Sequence, residues 1–446
     1  MACSAVRSPI LRNSSVRNYT AAAAKAANIS PAATTIADSQ VLSNKITVAA
    51  LDNNSPVTQV SIVFKAGPRN ETYDTQGISH VLRLAAGLTT SRATTFGITR
   101  NIQQLGGNLF ATSDRESIAY TLQVTRNHLN ESLNFLEDVA TRQVFKPWEI
   151  NDLSPRLRYE LSTIPEATRL LELLHKAAYR TGLGYSLYSP KRHIDKIPSE
   201  SLQHFVNTWF TGPRCAVVGT GISLSDLSSF ANTLNVGSGD GNPSSAKYYG
   251  GEIRKERNSP IASVALAVEG SGFNNDKDAL AFAILQQAAG TGPHIKWGTT
   301  TAPLQRSVIS AAGNDPFAIS AFNASYSDSG LFGIIIQAPA NVAGPITKAA
   351  YKWMSSPNIT DADIARGKTE LKASILYASD NNTSQLENLA QQTLFKGRPV
   401  SSTSLAAEVD KVSSTDVKKA AGKLSGKISM AAIGNLSTVP HIDQLN

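Results

Sequence analysis

Residues 74–92 read DTQGISHVLRLAAGLTTSR. Apolar side chains at Ile78, Val81, Leu82 and Ala85 recur at helical spacing behind a polar start, so the stretch predicts a helix capped at Asp74 or Thr75. His80 and Leu84 stand four apart and share one face of that helix. The tail, Leu82-Arg83-Leu84-Ala85-Ala86-Gly87, returns 203 residues later as Leu285-Gln286-Gln287-Ala288-Ala289-Gly290.

Five further echoes keep the same order. Asn54-Ser55-Pro56 before VTQVSIVFKAG matches Asn258-Ser259-Pro260 before IASVALAVEG at an offset of 204. Residues 113–123 match 327–337 at 214, and Glu160-Leu161 matches Glu370-Leu371 at 210. Leu171-Glu172 matches Leu386-Glu387, and 199–219 match 414–434, both at 215. Matches in one order, with offsets drifting as insertions would make them, predict a duplicated α+β unit of about 200 residues. Each copy is expected to be a sheet covered on one face by helices.

Within the first copy, period-two patterning from Lys45 predicts two strands joined at 52–56, whose residues favour turns. A helix at 98–105 closed by Gly106-Gly107, paired strands over 109–124, helices at 127–141, 148–162, 166–179 and 198–209, and a buried strand at 215–219 follow. Residues 237–251, GSGDGNPSSAKYYGG, have linker composition. The expected division is a leader at 1–19, a first domain at 20–236, a linker at 237–251 and a homologous second domain at 252–446, the two domains packing together across the linker.

Composition narrows the class. With 446 residues and 41% hydrophobic content the chain can bury sizeable cores, and 17% charged residues exclude a disordered polyelectrolyte. Cys3 and Cys215 can form neither a disulfide framework nor a cysteine metal cage. No apolar run approaches the roughly 18 residues that a membrane span needs; the best candidate, 331–336, is far too short. Residues 1–19, MACSAVRSPILRNSSVRNY, hold Arg7, Arg12 and Arg17 and no acid, the composition of a mitochondrial transit peptide. Arg17-Asn18-Tyr19 before Thr20 resembles the R-x-Y site of the matrix processing peptidase and is the candidate cleavage point. The blander alternative is a basic arm for acidic surfaces.

The inverted zinc-hydrolase motif H-x-x-E-H places two ligand histidines and a glutamate base on one helix. Here those positions hold His80, Arg83 and Leu84. With the repeat, Trp148-Glu149, 248–254 (YYGGEIR), Gly290-x-Gly-Pro-His294 and 320–333 (SAFNASYSDSGLFG), the mature chain resembles the insulinase-like, inverted-zincin peptidases. Within them it is most similar to the mitochondrial processing peptidase branch and its degenerate members, the core proteins of respiratory complex III (ubiquinol–cytochrome c reductase). The resemblance implies two homologous domains, with the zinc site on the helix of the first. It puts the third ligand at Glu160, so that two vestigial ligand positions, His80 and Glu160, survive. It also implies a peripheral place on the matrix side of the mitochondrial inner membrane. The implied neighbours are a companion core protein, cytochrome b, cytochrome c1, the Rieske protein with its presequence, and small subunits. Haem b, haem c and an iron–sulfur cluster would reside in those partners, and none in this chain.

The chemistry of an active peptidase is missing. Catalytic zinc needs three protein ligands and an open position, and Leu84 offers no lone pair. Arg83 cannot accept a proton, and at ~4 Å and an effective dielectric of ~20 it would repel a dication by several kcal/mol. No catalytic residue and no bound zinc are therefore expected. The plain role of His80 is a hydrogen-bonded helix histidine, and that of Glu160 an ion-pair partner of nearby arginines or of His80. The 290–297 segment lacks the G-x-x-x-x-G-K-[ST] phosphate-loop frame, since Lys296 precedes Trp297. It is also a short relic of the glycine-rich loop with which processing peptidases hold presequences. Without C-x-x-C-H the chain attaches no haem. The sequence thus points to a structural subunit of an oxidoreductase complex; the alternative is a presequence-binding, non-cutting subunit of a processing peptidase.

Overall fold

The computed structural model describes residues 37–241, 243–292 and 302–445. The leader, the cleavage candidates Arg17, Tyr19 and Thr20, and His294 lie outside the described residues.

Eleven described strands make two sheets. β1 (Asp38–Val41), β2 (Thr47–Leu51), β3 (Val57–Phe64), β4 (Asn108–Ser113), β5 (Ile118–Thr125) and β6 (Cys215–Thr220) run in the order β1-β2-β6-β3-β5-β4. β7 (Gly251–Glu256), β8 (Ile261–Glu269), β9 (Ala318–Ser325), β10 (Gly330–Pro339) and β11 (Ser429–Gly434) run in the order β7-β11-β8-β10-β9. Apart from β1, the two orders coincide. Each sheet has one parallel pair, β2 with β6 and β7 with β11, and is otherwise antiparallel. The duplication in the sequence is a duplication of topology.

The first half carries α1 (Ile78–Leu84), α2 (Thr95–Gln104), α3 (Leu129–Thr141), α4 (Pro147–Asn151), α5 (Ser154–Thr163), α6 (Glu166–Tyr179), α7 (Ser199–Trp209) and α8 (Leu224–Thr233). The second carries α9 (Asp276–Ala289), α10 (Pro303–Ala312), α11 (Ala340–Ser355), α12 (Asp361–Ser379), α13 (Asn382–Lys396), α14 (Ser402–Lys411) and α15 (Ser414–Gly422). The single helix expected at 148–162 is two, because Pro155 lacks the N–H needed to continue α4 and opens α5 instead. The 74–92 helix is shorter than its pattern: α1 begins after Gly77, not at Asp74 or Thr75.

Each sheet packs its own half's helices on one face, over separate apolar cores around Ile62, Leu82 and Leu136 in the first half and Leu266, Phe282 and Ile334 in the second. Yet the central strands β6 and β11 are buried along their whole length, without alternation, so both faces must be covered. The second cover is exchanged between halves. α6 lays Leu170, Leu174 and Ala178 on Ala265, Ala267, Ala431 and Ile433 of the second sheet. α13, its counterpart at offset 215, lays Leu386, Leu389, Ala390 and Leu394 on Ala49, Val63, Ala216 and Val218 of the first.

Candidate functional site

α1 enters the core on a backbone device. Gly77 precedes it at φ 98°, a conformation natural to glycine, and a Cβ there would come within 2.5 Å of the Ser189 side chain. The first turn is capped from outside: the buried Glu71 carboxylate accepts the Gly77 and Ser79 N–H groups, each at 2.8 Å. Burial pushes Glu71 up to about 7, against the pull of those two hydrogen bonds.

The close approach at Gly77 brings Ser189 to His80. The Ser189 N–H donates to His80 Nδ1 at 3.1 Å, so this nitrogen is an acceptor and the ring proton sits on Nε2. Nε2 donates to Glu160 Oε2 at 3.0 Å. The ring is fully buried and meets the Tyr188 ring edge-on, with the ring centroids 5.5 Å apart. Burial lowers the pKa of His80; Glu160 opposes this and Arg83 adds to it. The imidazole is neutral and its metal-facing lone pair is replaced by a proton.

Arg83 Nη2 donates to the same Glu160 oxygen. Burial alone would raise the carboxyl, but the hydrogen bonds from His80 and Arg83 outweigh it and hold Glu160 below the usual carboxylate range. Leu84 is 3% exposed and belongs to the apolar core. The structure thus brings His80, Arg83 and Glu160 together and sends Leu84 into the core. A zinc ion does not fit this arrangement. One ligand position is aliphatic, and the guanidinium stands where the base would be. The surviving carboxylate already holds two donors on its Oε2. The second half offers no substitute, since offset 203 sets Ala283, Gln286 and Gln287 at the positions of His80, Arg83 and Leu84.

Sequence patterns gave no sign of Glu71, Tyr188 or Ser189, because two of these act through backbone groups and Ser189 lies 109 residues from His80. They likewise missed the residues that join the two halves. Arg69, the middle residue of the turn Pro68–Asn70, bridges Glu116 and Asp328, and the Ser327 N–H donates to Glu116 at 2.8 Å. The distinctive 320–333 segment therefore holds, between β9 and β10, the turn that latches the two halves.

Residues 47–191 match the insulinase family (peptidase family M16), and 196–371 match the peptidase M16 inactive domain. The chain belongs to the M16 peptidase family, as a member whose hydrolytic residues are replaced. It is 38% identical over 412 residues to cytochrome b-c1 complex subunit 2, mitochondrial, of Homo sapiens, covering 91% of each chain. The Rattus norvegicus protein of that name is 39% identical over the same shares. Mitochondrial-processing peptidase subunit alpha-2 of Dictyostelium discoideum is 28% identical, covering 92% of this chain and 94% of that one.

Proposed function

We propose that this chain is a non-catalytic core subunit of mitochondrial respiratory complex III, supporting assembly and stability of ubiquinol–cytochrome c reductase. The observation that carries the reading is the 38–39% identity, over 91% of both chains, to cytochrome b-c1 complex subunit 2. In this reading the subunit lies on the matrix side of the inner membrane and pairs with the first core protein. Its further neighbours are cytochrome b, cytochrome c1, the Rieske protein with its presequence, and small subunits, which hold haem b, haem c and the iron–sulfur cluster. No helix of the described residues is long and apolar enough to cross a membrane, which supports attachment through partners. The leader at 1–19, the domains at 20–236 and 252–446 and the linker at 237–251 complete the proposal. So does the vestigial status of His80 and Glu160, beside the lost positions Arg83 and Leu84. Zinc is not a constituent.

Native purification from gently solubilised mitochondria tests it. Co-migration with b- and c-type haem is the expected result. A haem-free heterodimer that holds or cuts presequences would overturn it in favour of a processing-peptidase subunit, the reading that the 28% relative supports. The old site has its own test: Arg83→Glu with Leu84→His should restore zinc binding without proteolysis, and a double variant that binds no zinc refutes the vestigial reading.

A further inference from the structure

The two sheets differ at one edge. β2 carries β1 on its outer side, antiparallel from Asp38↔Ala50 to Val41↔Thr47. β7, the counterpart of β2 at offset 204, has no strand beyond it among the described residues. The Arg257 N–H donates to Gly434 O at 3.0 Å, so by the alternation of a parallel ladder Ile253 and Lys255 also face β11. The N–H and C=O groups of Glu252, Arg254 and Glu256 then point outward. In the first sheet, β1 is held on its edge with all four of its residues exposed, so a strand in that position needs no apolar pocket.

Along the open edge, Glu252 and Arg254 pair with each other and hold the chain's own 436–442 segment, while Lys255 stands among cations. Lys255 lies near the end of β7 and Arg257 just beyond its last residue, Glu256; Arg169 lies on α6, and Lys191 in the turn Lys191–His193. Burial, and then repulsion by Arg257, Arg169 and Lys191, lowers the pKa of Lys255. Among the described residues none of the four makes an ion pair, and the Arg169 guanidinium reaches only the Leu161 carbonyl, at 3.2 Å. At the other end of β7, Arg180 and Lys247 stand over the Tyr249 ring at 4.9 and 5.4 Å. Such an edge repels a second copy of itself. The chain's own leader is equally ill-matched, with Arg7, Arg12, Arg17 and Lys25 ahead of its first acid, Asp38.

We propose that the open edge of β7 accepts an extended acidic segment of a partner polypeptide as an added strand, with its carboxylates on Lys255, Arg257, Arg169 and Lys191. Because alternate side chains of a strand share a face, the acids of that segment stand at alternate positions. The inference rests on the chain working inside a multi-subunit assembly, as proposed above.

Carbodiimide coupling, which joins an amine only to a carboxylate it touches, tests this on the purified native assembly. Lys255 or Lys191 should couple to aspartates or glutamates of one partner segment with alternating acids. The Arg254 and Glu256 amides should exchange about tenfold more slowly than in the isolated chain. Lys255→Glu with Arg257→Glu, both exposed, should cut coupling at Lys191 about tenfold. Glu256→Pro, which removes one outward N–H, should reduce coupling while leaving the β11 pairing intact. Coupling confined to this chain's own carboxylates overturns the proposal, as do unprotected outward amides. So does the absence of coupling with lysines that become acylatable only after lipid extraction, which would assign the edge to phospholipid headgroups. If the chain purifies in an assembly other than complex III, the functional reading fails, while the same coupling pattern on that assembly still decides this one.

Discussion

α6 and α13 occupy equivalent places in the repeat and do the same task by different means. α13 covers its sheet with Leu386, Leu389 and Leu394, each contributing about 1.5–3 kcal/mol by burial, and its nearby hydrogen bonds sit at the rim, where Asn382 meets Asn53 and Ser55. α6 adds buried polar keys to its apolar stripe. Tyr179 Oη reaches Ser329 Oγ and Gly330 O at 3.0 Å, Ser263 Oγ donates to Glu166 at 2.8 Å, and His175 Nε2 meets Tyr326 Oη at 2.6 Å. Beside it the buried Arg115 donates to Glu172 and to the carbonyls of Leu183 and Tyr185. Apolar burial is indifferent to sliding; buried hydrogen bonds are satisfied at one register only. One helix insulates its sheet, and the other also fixes how the halves meet.

Four perturbations sharpen or break that contrast. The largest effect is expected for Arg115→Met, which takes the counter-charge from Glu172 and leaves its carboxylate with the Leu187 N–H alone. A loss of about 3–5 kcal/mol in denaturant stability is anticipated, and a loss under 1 kcal/mol would mean that the polar keys are dispensable. Leu389→Ala should cost about 2–4 kcal/mol as a cavity, whereas Leu389→Met, which conserves volume, should cost under ~1.5 kcal/mol. Acidification comes next. Burial first, and the Arg115 charge second, hold His175 well below its ordinary value. The unfolded chain therefore binds the extra proton first, and stability falls as pH drops below about 6.5, by up to about 1.4 kcal/mol per unit. Amide exchange should accelerate in α6 over that range and not in α13, which has no histidine. Tyr179→Phe is the mildest, about 1 kcal/mol, read as a small fall in melting temperature.

Much of this was legible in the chain. The duplication was visible because topology repeats where residues do, and the 166–179 helix was bounded by Pro165 and its own period. Glu160, eighty residues beyond His80, was singled out only through the family resemblance, which left open whether it meets His80 or Arg83; it meets both. What stayed hidden was the object of each buried face. Leu170, Leu174 and Ala178 declare that α6 is buried but not against which sheet. The Glu71 cap and the Ser189 contact engage backbone N–H groups, which every residue type but proline carries, so no pattern of side chains could announce them. The break before Pro155 was in plain view, and the period of the surrounding apolar residues masked it.

The exchange of helices also sets an order of events in time. α6 is made before any strand of the sheet it covers, and the outer face of the first sheet, with Ala49, Val63, Ala216 and Val218, has no lid until residues 382–396 exist. A chain threaded from its N-terminus therefore carries an orphan helix and a naked apolar surface for most of its synthesis and transport, the state in which newborn proteins stick to one another. Neither half can reach its finished form ahead of the other: the first sheet waits for its cover until residue 396, and α6 waits for β11 until residue 434.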